Sequence, residues 1–391
     1  MHKVILRAKR AAAVLRFHPW IFSGAIQKIE GDPIDGDPVE VFSHQGRYLA
    51  TGHYQDGSIM VRICSFTATD LGAAFWEDKL QQALNYRKAI GILDQKGTNC
   101  YRLIHAEGDG LPGLIIDIYD KTAVVQCHSI GMYRSLDLIK AALQKVLGER
   151  LDTIFNKSAE ALPQAFALQV DNGHLLGSKD SGIAEEHSAQ YRVNWKEGQK
   201  TGFFLDQRDN RWLLQKYAKG KTVLNTFCYT GGFSVAALQA GAKQVDSVDV
   251  SAKAMVLTEE NIALNNSAER HQSHTADVMK FLKESSKTYD ILVVDPPAFA
   301  KNLKKRHNAV QGYKRLNALA MKHVEPGGLL FTFSCSQVIS KQLFQDTILA
   351  AAIEAGRKMK IMHHLSQPAD HPVSLFHPEG SYLKGLVLYL E

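Results

Sequence analysis

The second half of the chain, from about residue 191, alternates short apolar runs with longer segments of helical periodicity. The runs that predict strands are 223–224, 245–248, 291–294 and 329–333. The segments that predict helices are 234–240, 252–265, 311–323 and 341–355. Strands that alternate with helices of this length form a parallel sheet with helices on both faces. We therefore expect an α/β domain whose chemistry lies at the carboxyl ends of its strands.

The first 190 residues have a different pattern of apolar residues and glycines. Up to about residue 70, glycines punctuate short runs such as 39–42 and 59–63, which predicts a small β-rich domain. Residues 71–91 have helical spacing, and the glycine-rich stretch 108–113 separates two apolar runs. We interpret residues 71–190 as an α+β middle domain, so that the chain of 391 residues contains three domains.

Basic residues are concentrated in two stretches that contain no acidic residue. In the first 29 residues they are Lys3, Arg7, Lys9, Arg10, Arg16 and Lys28. Between residues 296 and 324 they are Lys301, Lys304, Lys305, Arg306, Lys314, Arg315 and Lys322. One such stretch is as compatible with a solvated face as with a binding site. Two in one chain favour an anionic polymer as the partner, because phosphate groups attract local basic patches.

Cysteine usage and hydropathy indicate the compartment. The five cysteines are odd in number and never spaced as CxxC, which argues against a disulfide framework or a zinc ribbon and favours a reducing compartment. The histidines match no standard metal-site spacing, so we expect no metal. No apolar run approaches the roughly 18 residues that a membrane-spanning helix needs. We expect a cytoplasmic protein without membrane contact.

Polar residues follow the first three predicted strands of the second half. The loop 225–233 contains two glycines, which allow close approach of the backbone to a ligand, but it lacks the GxGxxG of a nicotinamide oxidoreductase. Asp249 ends the second strand, where a carboxylate can accept hydrogen bonds from ribose hydroxyls or cap the next helix. A further strand should lie between the runs 245–248 and 291–294 and is counted as the third; Asp277, at the end of the segment 274–277 that follows it, is placed to meet an adenine amino group.

The fourth and fifth predicted strands end in reactive groups. Asp295 precedes Pro296 and Pro297, which cannot continue a central strand, so the chain turns and leaves Asp295 at the carboxyl edge of the sheet. Cys335 follows the fifth strand, ahead of a helix that begins near Ser340. A thiol that faces a helix N-terminus gains thiolate character, although a lone cysteine is more often a small buried hydrophobe. We predict that Cys335 is a nucleophile beside Asp295.

The order of these motifs resembles a class I S-adenosylmethionine methyltransferase. The segments 295–299 (Asp-Pro-Pro-Ala-Phe) and 334–336 (Ser-Cys-Ser) are similar to the bacterial ribosomal large-subunit cytosine-5 methyltransferase I family. Further segments that resemble this family are 18–24 at the start of its PUA domain, 108–114 in its middle domain, 199–208 at its cofactor-proximal turn, and 370–372 with 382–384 in its C-terminal signature. The resemblance covers essentially the whole chain. It implies a PUA-like RNA-binding domain at 1–70, the middle domain at 71–190 and a Rossmann-like class I methyltransferase domain at 191–391.

The resemblance implies S-adenosylmethionine (SAM) as cofactor and a cytosine of 23S ribosomal RNA, in the large subunit, as substrate. A thiolate at Cys335 would add to C6 of the base, and Asp295 would contact the base and stabilise the charge on the ring. The implied cofactor contacts are Phe203, Phe204, Asn225, Phe227, Tyr229, Gly231, Asp249, Asp277 and Asp295. We expect the RNA, with its base unpaired or flipped out, at Pro296, Pro297, Phe299, Lys301, Lys304, Lys305 and Arg306.

Two other classes of function stay open. A related SAM-dependent enzyme that methylates guanine at N7 or N2 needs no thiol, so Cys335 favours cytosine. A non-catalytic RNA-binding protein has no reason to keep Asp295 and Cys335 at adjacent strand ends. The sequence does not identify the base that removes the C5 proton, for which Asp370 and His371 are candidates. It also leaves open whether the chain forms a homodimer.

Overall fold

The computed structural model describes residues 2–300 and 302–391, and these form two compact units. The first unit contains the residues up to 184 together with 193–205 and 369–380. The second unit contains residues 185–192, 206–368 and 381–391. Each unit is therefore assembled from segments that are distant in the sequence.

The N-terminal part of the first unit is a six-stranded sheet with one short helix. Its elements are β1 His2–Leu6, α1 Ala12–Leu15, β2 Trp20–Phe22, β3 Ile26–Glu30, β4 Pro38–Phe42, β5 Tyr48–Tyr54 and β6 Ile59–Ser65. The strand order is β2-β6-β5-β4-β1-β3, and β1 and β4 are the parallel pair. Because successive side chains point to opposite faces, Val39 and Val41 are buried in one apolar cluster with Val4, Leu6 and Val61.

The remainder of the first unit is built on a five-stranded sheet covered by helices. Its elements are α2 Ala73–Ala89, β7 Cys100–His105, β8 Leu114–Tyr119, β9 Thr122–Cys127, α3 Ile130–Arg134, α4 Leu136–Leu147, β10 Thr153–Asn156, α5 Gln164–Ala167 and β11 Gly173–Leu176. The order is β11-β10-β9-β8-β7. The parallel pair β9 and β10 requires a crossover, which α4 supplies. The α+β character expected for this part of the chain is confirmed.

A hairpin follows, with strands β12 Ser181–Glu186 and β13 Ala189–Asn194. Its two turn residues, His187 and Ser188, have φ angles of +50° and +66°. Two left-handed residues at a two-residue hairpin turn give the twist that matches the flanking strands. The apolar and helical periodicity of the sequence did not indicate this hairpin.

The second unit contains a seven-stranded sheet. Its strands are β14 Thr222–Thr226, β15 Gln244–Asp249, β16 His271–Thr275, β17 Tyr289–Val294, β18 Val324–Ser334, β19 Met359–Leu365 and β20 Lys384–Leu390. Its helices are α6 Arg208–Ala218, α7 Gly232–Gln239, α8 Ala252–Leu264, α9 Val278–Glu284, α10 Arg306–Met321 and α11 Lys341–Ala355. The strand order is β16-β15-β14-β17-β18-β20-β19, with the first five strands parallel. The order reverses between β14 and β17, and such a switch point opens a crevice at the carboxyl ends.

Both faces of this sheet are covered by helices, as the sequence predicts. Leu292 and Val294 belong to an apolar cluster with residues of α9, α10 and α11. On the other face, the rings of Phe233 in α7 and Phe333 in β18 lie 5.7 Å apart. The predicted strands and helices are confirmed, with α10 beginning earlier than the periodicity suggested. The antiparallel strands β19 and β20 were missed: β19 is mostly exposed and mixes polar with apolar residues, whereas β20 is a buried apolar run that was not recognised.

Candidate active site at the carboxyl edge of the second sheet

The loop after β14 holds its backbone in an unusual conformation. Phe227 and Tyr229 have φ angles of +54° and +49°, which are uncommon for residues other than glycine. Gly231 has φ of +78°, and a Cβ atom there would lie 2.7 Å from Cγ2 of Thr258. This position therefore requires glycine, and the loop packs closely on α8. Non-glycine residues with such angles cluster at ligand sites, where the surrounding structure maintains the strain.

Asp249 fixes this loop to the end of β15. Its Oδ2 accepts a hydrogen bond of 3.0 Å from the backbone amide of Tyr229, and its Oδ1 accepts one of 2.9 Å from Ser251. The cap of α8 is Ser251, whose hydroxyl accepts from the amide of Ala254. Each oxygen of a carboxylate can accept a further hydrogen bond, so Asp249 keeps capacity for ligand hydroxyls.

Asn225 and Asp277 have different surroundings. The amide of Asn225 is buried and donates to the hydroxyl of Ser234 at 2.9 Å, which lies 2.6 Å from that of Ser247. Asp277 is exposed at the end of β16 and caps α9 by accepting a hydrogen bond from the amide of Lys280. Asp249 and Asp277 thus offer acceptors beside a glycine loop. These acceptors suit the ribose hydroxyls and the adenine amino group of SAM.

Asp295 lies directly after β17 and is largely buried. Nε2 of Gln207 donates to its Oδ2 at 2.9 Å. Burial and the negative charge of Asp206 raise the pKa of Asp295 to about 7, although the Gln207 hydrogen bond and Arg211 oppose this rise. Near neutral pH the carboxyl group therefore both accepts and donates protons.

Asp206 is a site residue that sequence reasoning missed. It precedes α6, and its Oδ2 accepts a hydrogen bond of 2.7 Å from the hydroxyl of Tyr382. Its Oδ1 is buried and has no hydrogen-bond partner among the described residues. Both residues belong to segments that resemble the cytosine-5 family, but this resemblance assigned neither a role. The only signal in the sequence was an acid next to Gln207 and Arg208.

Cys335 follows β18, the neighbour of β17 in the sheet, and is half-buried. Its pKa is raised to about 11, mainly by burial and in addition by the negative charges of Asp295 and Asp206. The predicted thiolate character is therefore wrong for the protein alone. The cap of α11 is Ser340, so the nearest helix N-terminus lies several residues further along the chain than Cys335. Because β17 and β18 are neighbouring strands, Asp295 and Cys335 follow adjacent strand ends, and the charge of Asp295 acts on the thiol.

The expected substrate contacts divide into buried and exposed groups. Pro296 is buried and Pro297 is exposed. The ring of Phe299 packs against Tyr313, with centroids 4.6 Å apart, so α10 covers part of this ring. The basic residues at the start of α10, all exposed, are Lys304, Lys305 and Arg306. Lys301 lies outside the described residues.

Four of the residues considered in the sequence belong to the first unit. Phe203 and Phe204 lie in the segment 193–205, where the carbonyl of Phe203 accepts from the hydroxyl of Tyr119. Asp370 and His371 are buried in the segment 369–380 and contact each other at 3.0 Å. The Asp370 carboxylate also accepts from the amide of Arg102. These contacts support a structural role for Asp370 and His371.

A possible metal-ligand group also lies in the first unit. His18, His377 and Glu379 offer ligand atoms within 4.8 Å of one another. Nδ1 of His377 is 3.0 Å from Oε2 of Glu379, so a hydrogen bond satisfies this pair without an ion.

Among the helices of residues 2–300 and 302–391, none has the length and apolarity needed to cross a bilayer.

Comparison with protein families agrees with this architecture. Residues 173–383 match the model of the S-adenosylmethionine-dependent methyltransferases, and residues 4–66 match that of the PUA-like domains. Ribosomal RNA large subunit methyltransferase I of Aeromonas hydrophila is 40% identical over 388 residues, which are 97% of both chains. The protein of the same name from Shewanella amazonensis is 39% identical over 395 residues, 98% of both chains.

Solved structures resemble the fold over its full length. A SAM-dependent methyltransferase from Streptococcus mutans has a TM-score of 0.84 and 24% identity, with 100% of both chains covered. A methyltransferase solved as a complex with SAH has a TM-score of 0.86, again with 24% identity and full coverage of both chains. At this level of identity, the likeness establishes the fold.

Proposed function

Because the chain belongs to the S-adenosylmethionine-dependent methyltransferases and to the ribosomal RNA large subunit methyltransferase I family, we propose that it methylates C5 of a cytosine in 23S ribosomal RNA. The observation that carries the proposal is the pairing of Cys335 and Asp295 at the ends of two neighbouring parallel strands. Methylation of a guanine nitrogen needs no thiol, whereas C5 of cytosine is a poor nucleophile until a thiolate adds at C6.

The cofactor would be held by the loop after β14 and by two carboxylates. Gly231 permits close approach of the backbone, Asp249 has acceptor capacity for ribose hydroxyls, and Asp277 provides an acceptor for the adenine amino group. SAM, when bound, supplies an electrophilic methyl group.

The protein's residues then act on the base. Cys335 loses its proton to solvent water, and its sulfur forms a bond to C6 while the C5=C6 electron pair shifts toward C5, the atom that would take the methyl group. Asp295, protonated near neutral pH, donates a proton to N3 and so neutralises the charge that addition places on the ring. A carboxyl group with a pKa of about 7 suits this task, because an ordinary aspartate carries no proton to donate.

The adduct is resolved by removal of the C5 proton. A base accepts this proton, the electron pair of the C5–H bond re-forms the C5=C6 double bond, and the C6–S bond breaks with return of the electrons to sulfur. The proton on N3 returns to the Asp295 carboxylate, so the methylated base leaves uncharged. We assign the base to Asp206, because its negative charge acts on both Cys335 and Asp295 and its Oδ1 accepts no hydrogen bond from the residues that the structure describes.

The substrate RNA would be held by two groups of basic residues. A cytosine stacked in a helix cannot reach a site at the strand ends, so it must be unpaired or flipped out. The exposed Lys304, Lys305 and Arg306 would contact flanking phosphates. The basic residues of the PUA-like domain, residues 4–66, would add a second RNA contact.

The test is bisulfite sequencing of large-subunit RNA from cells that contain or lack this protein. We expect one cytosine to lose its C5 methyl group in the deletion strain. The wild-type gene and a Cys100→Ala variant, which removes a buried thiol of the first unit, should restore the methyl group. Cys335→Ala should not restore it. If no cytosine changes, the cytosine-5 proposal is wrong and guanine nitrogens become the targets to map.

A further inference from the structure

Lys384 is a buried lysine at the start of β20. It pairs in register with Ser334 of β18, and 4% of its surface is exposed. Lysines are almost never buried to this extent unless they are paired with an acid. No carboxylate lies within ion-pair distance of Nζ among the residues that the structure describes.

The contacts of Lys384 lead to the loop that carries the nucleophile. Its Nζ donates to the carbonyl oxygens of Ser336 at 2.7 Å and Ile339 at 2.8 Å. These carbonyls lie just after Cys335, so the lysine holds the loop in one conformation. A neutral donor would satisfy the same carbonyls without the cost of burying a positive charge. The hydrogen bonds alone therefore do not account for a lysine at this position.

The charge of Lys384 explains why a lysine stands at this position. Burial lowers the pKa of Lys384 to about 8, and the acidic group that opposes this shift is the Cys335 thiol. In turn, Asp295 and Asp206 raise the pKa of Cys335, whereas Lys384 is the cation that lowers it. The charged groups facing this pair are Asp295 after β17, Asp206 ahead of α6, and Lys341 at the start of α11.

We propose that Lys384 is a positioning residue that supplies the positive charge against which the Cys335 thiolate forms. This inference rests on Cys335 being the nucleophile of the proposed function. It assigns the lysine a role through the thiol, since no contact of its own with the base is required. A thiolate that faces two carboxylates needs a nearby cation, and buried ion pairs are stable only when such partners are in place.

The test measures alkylation of Cys335 by iodoacetamide in the full-length protein, because only the thiolate reacts. Cys335 is half-buried, whereas the other four cysteines are buried, and peptide mass spectrometry identifies the modified residue. We expect Lys384→Gln, which keeps N–H donors without the charge, to slow alkylation at pH 7 by about tenfold. Lys384→Arg and the control Lys283→Gln should stay within about twofold of the wild type.

A second measurement does not depend on the stability of Lys384→Gln. In the wild type the thiolate of Cys335 forms more easily while Lys384 is charged. The alkylation rate should therefore level off near pH 8, where Lys384 begins to lose its proton. In Lys384→Arg the cation stays charged, and the rate should continue to rise through this pH.

Superimposable profiles for the wild type and Lys384→Arg would overturn the proposal. An unchanged rate in folded Lys384→Gln would do the same, and a lower melting temperature would then identify the lysine as a loop anchor only. The proposed function has a separate test: it is wrong if the Cys335→Ala strain still carries the C5 methyl group. That result would leave the alkylation profiles as they are.

Discussion

Gln207 donates a hydrogen bond of 2.9 Å to the carboxylate of Asp295, and this is the neutral contact that opposes protonation of a buried acid. The oxygen of the Gln207 amide accepts from Nδ2 of Asn210 at 2.6 Å, which fixes the orientation of the donor. The protonation state of Asp295 is therefore set by a balance of burial and the charge of Asp206 against the Gln207 amide and the charge of Arg211.

The pH dependence of methylation should report this balance. Below about pH 8, where Lys384 keeps its proton, the thiolate fraction of Cys335 grows about tenfold per pH unit, whereas Asp295 loses its proton near pH 7. We expect kcat/KM to rise up to about pH 7 and then to level off. In Gln207→Leu the pKa of Asp295 rises further, so this break should move to higher pH. A break at the wild-type position would contradict the assignment, and Gln215→Leu on the same helix is the control.

The raised pKa of Asp295 also predicts a gain in stability for Asp295→Asn. Between about pH 4 and 7 the folded protein binds more protons here than the unfolded chain, so the contribution of this group to stability falls as pH rises. The penalty is complete above pH 7. At pH 8 the variant should unfold with a free energy about 1–3 kcal/mol higher than the wild type, with no gain at pH 4.

Asp290→Asn is the matched control for this stability measurement, made by urea titration. Burial would raise the pKa of Asp290, but hydrogen bonds from Thr222 and Lys221 outweigh it and lower the pKa. The sign is therefore opposite, and this variant should lose stability at pH 8. Equal changes for both variants would contradict the prediction.

Asp206→Asn should stop the reaction after methyl transfer. The variant keeps the size of the side chain and an acceptor for the Tyr382 hydroxyl but cannot take the C5 proton. We expect a covalent protein–RNA complex that survives denaturing electrophoresis in the presence of SAM. Tyr382→Phe tests the positioning contact and should not trap the adduct. A free, methylated RNA product from Asp206→Asn would exclude this aspartate as the base.

Gly231→Ala should weaken cofactor binding. The new Cβ would lie 2.7 Å from Cγ2 of Thr258, so the loop after β14 must shift. Gly241→Ala is a matched control, since Gly241 also has a positive φ, +86°, but no atom lies closer than 3.7 Å. Each substitution should cost about 1–2 kcal/mol of stability through the left-handed backbone. Calorimetry with SAH should show at least about a tenfold loss of affinity for Gly231→Ala alone.

Replacement of Lys304, Lys305 and Arg306 by serine should reduce the salt dependence of RNA binding. Each phosphate contact contributes about 0.7–0.9 to the slope of log K against log salt, so the slope should fall by about 2. The lysines of α9, Lys280 and Lys283, are exposed controls whose replacement should leave the slope unchanged. A wild-type slope in the triple variant would remove this basic cluster from the RNA interface.

Part of the site follows from the sequence because of a simple property of parallel sheets. Apolar runs that are buried on both faces predict the strands, and the carboxyl ends of parallel strands share one edge. Asp249, Asp295 and Cys335 each follow such a run, so their common location needed no structure, whereas the strand ahead of Asp277 is a polar edge strand. The prolines after Asp295 marked the turn for the same local reason.

The tertiary structure decided which form these groups take. Besides burial, Asp206 raises the pKa of both Asp295 and Cys335, and Lys384 lowers that of Cys335. Asp206 and Lys384 come from segments far away in the chain. Lys384 reaches the Cys335 loop because β20 runs antiparallel to β18, a pairing that no local periodicity encodes. The sequence by itself determined the reactive groups and their common edge. Burial and long-range charge, which exist only once the sheet has formed, determined their chemistry.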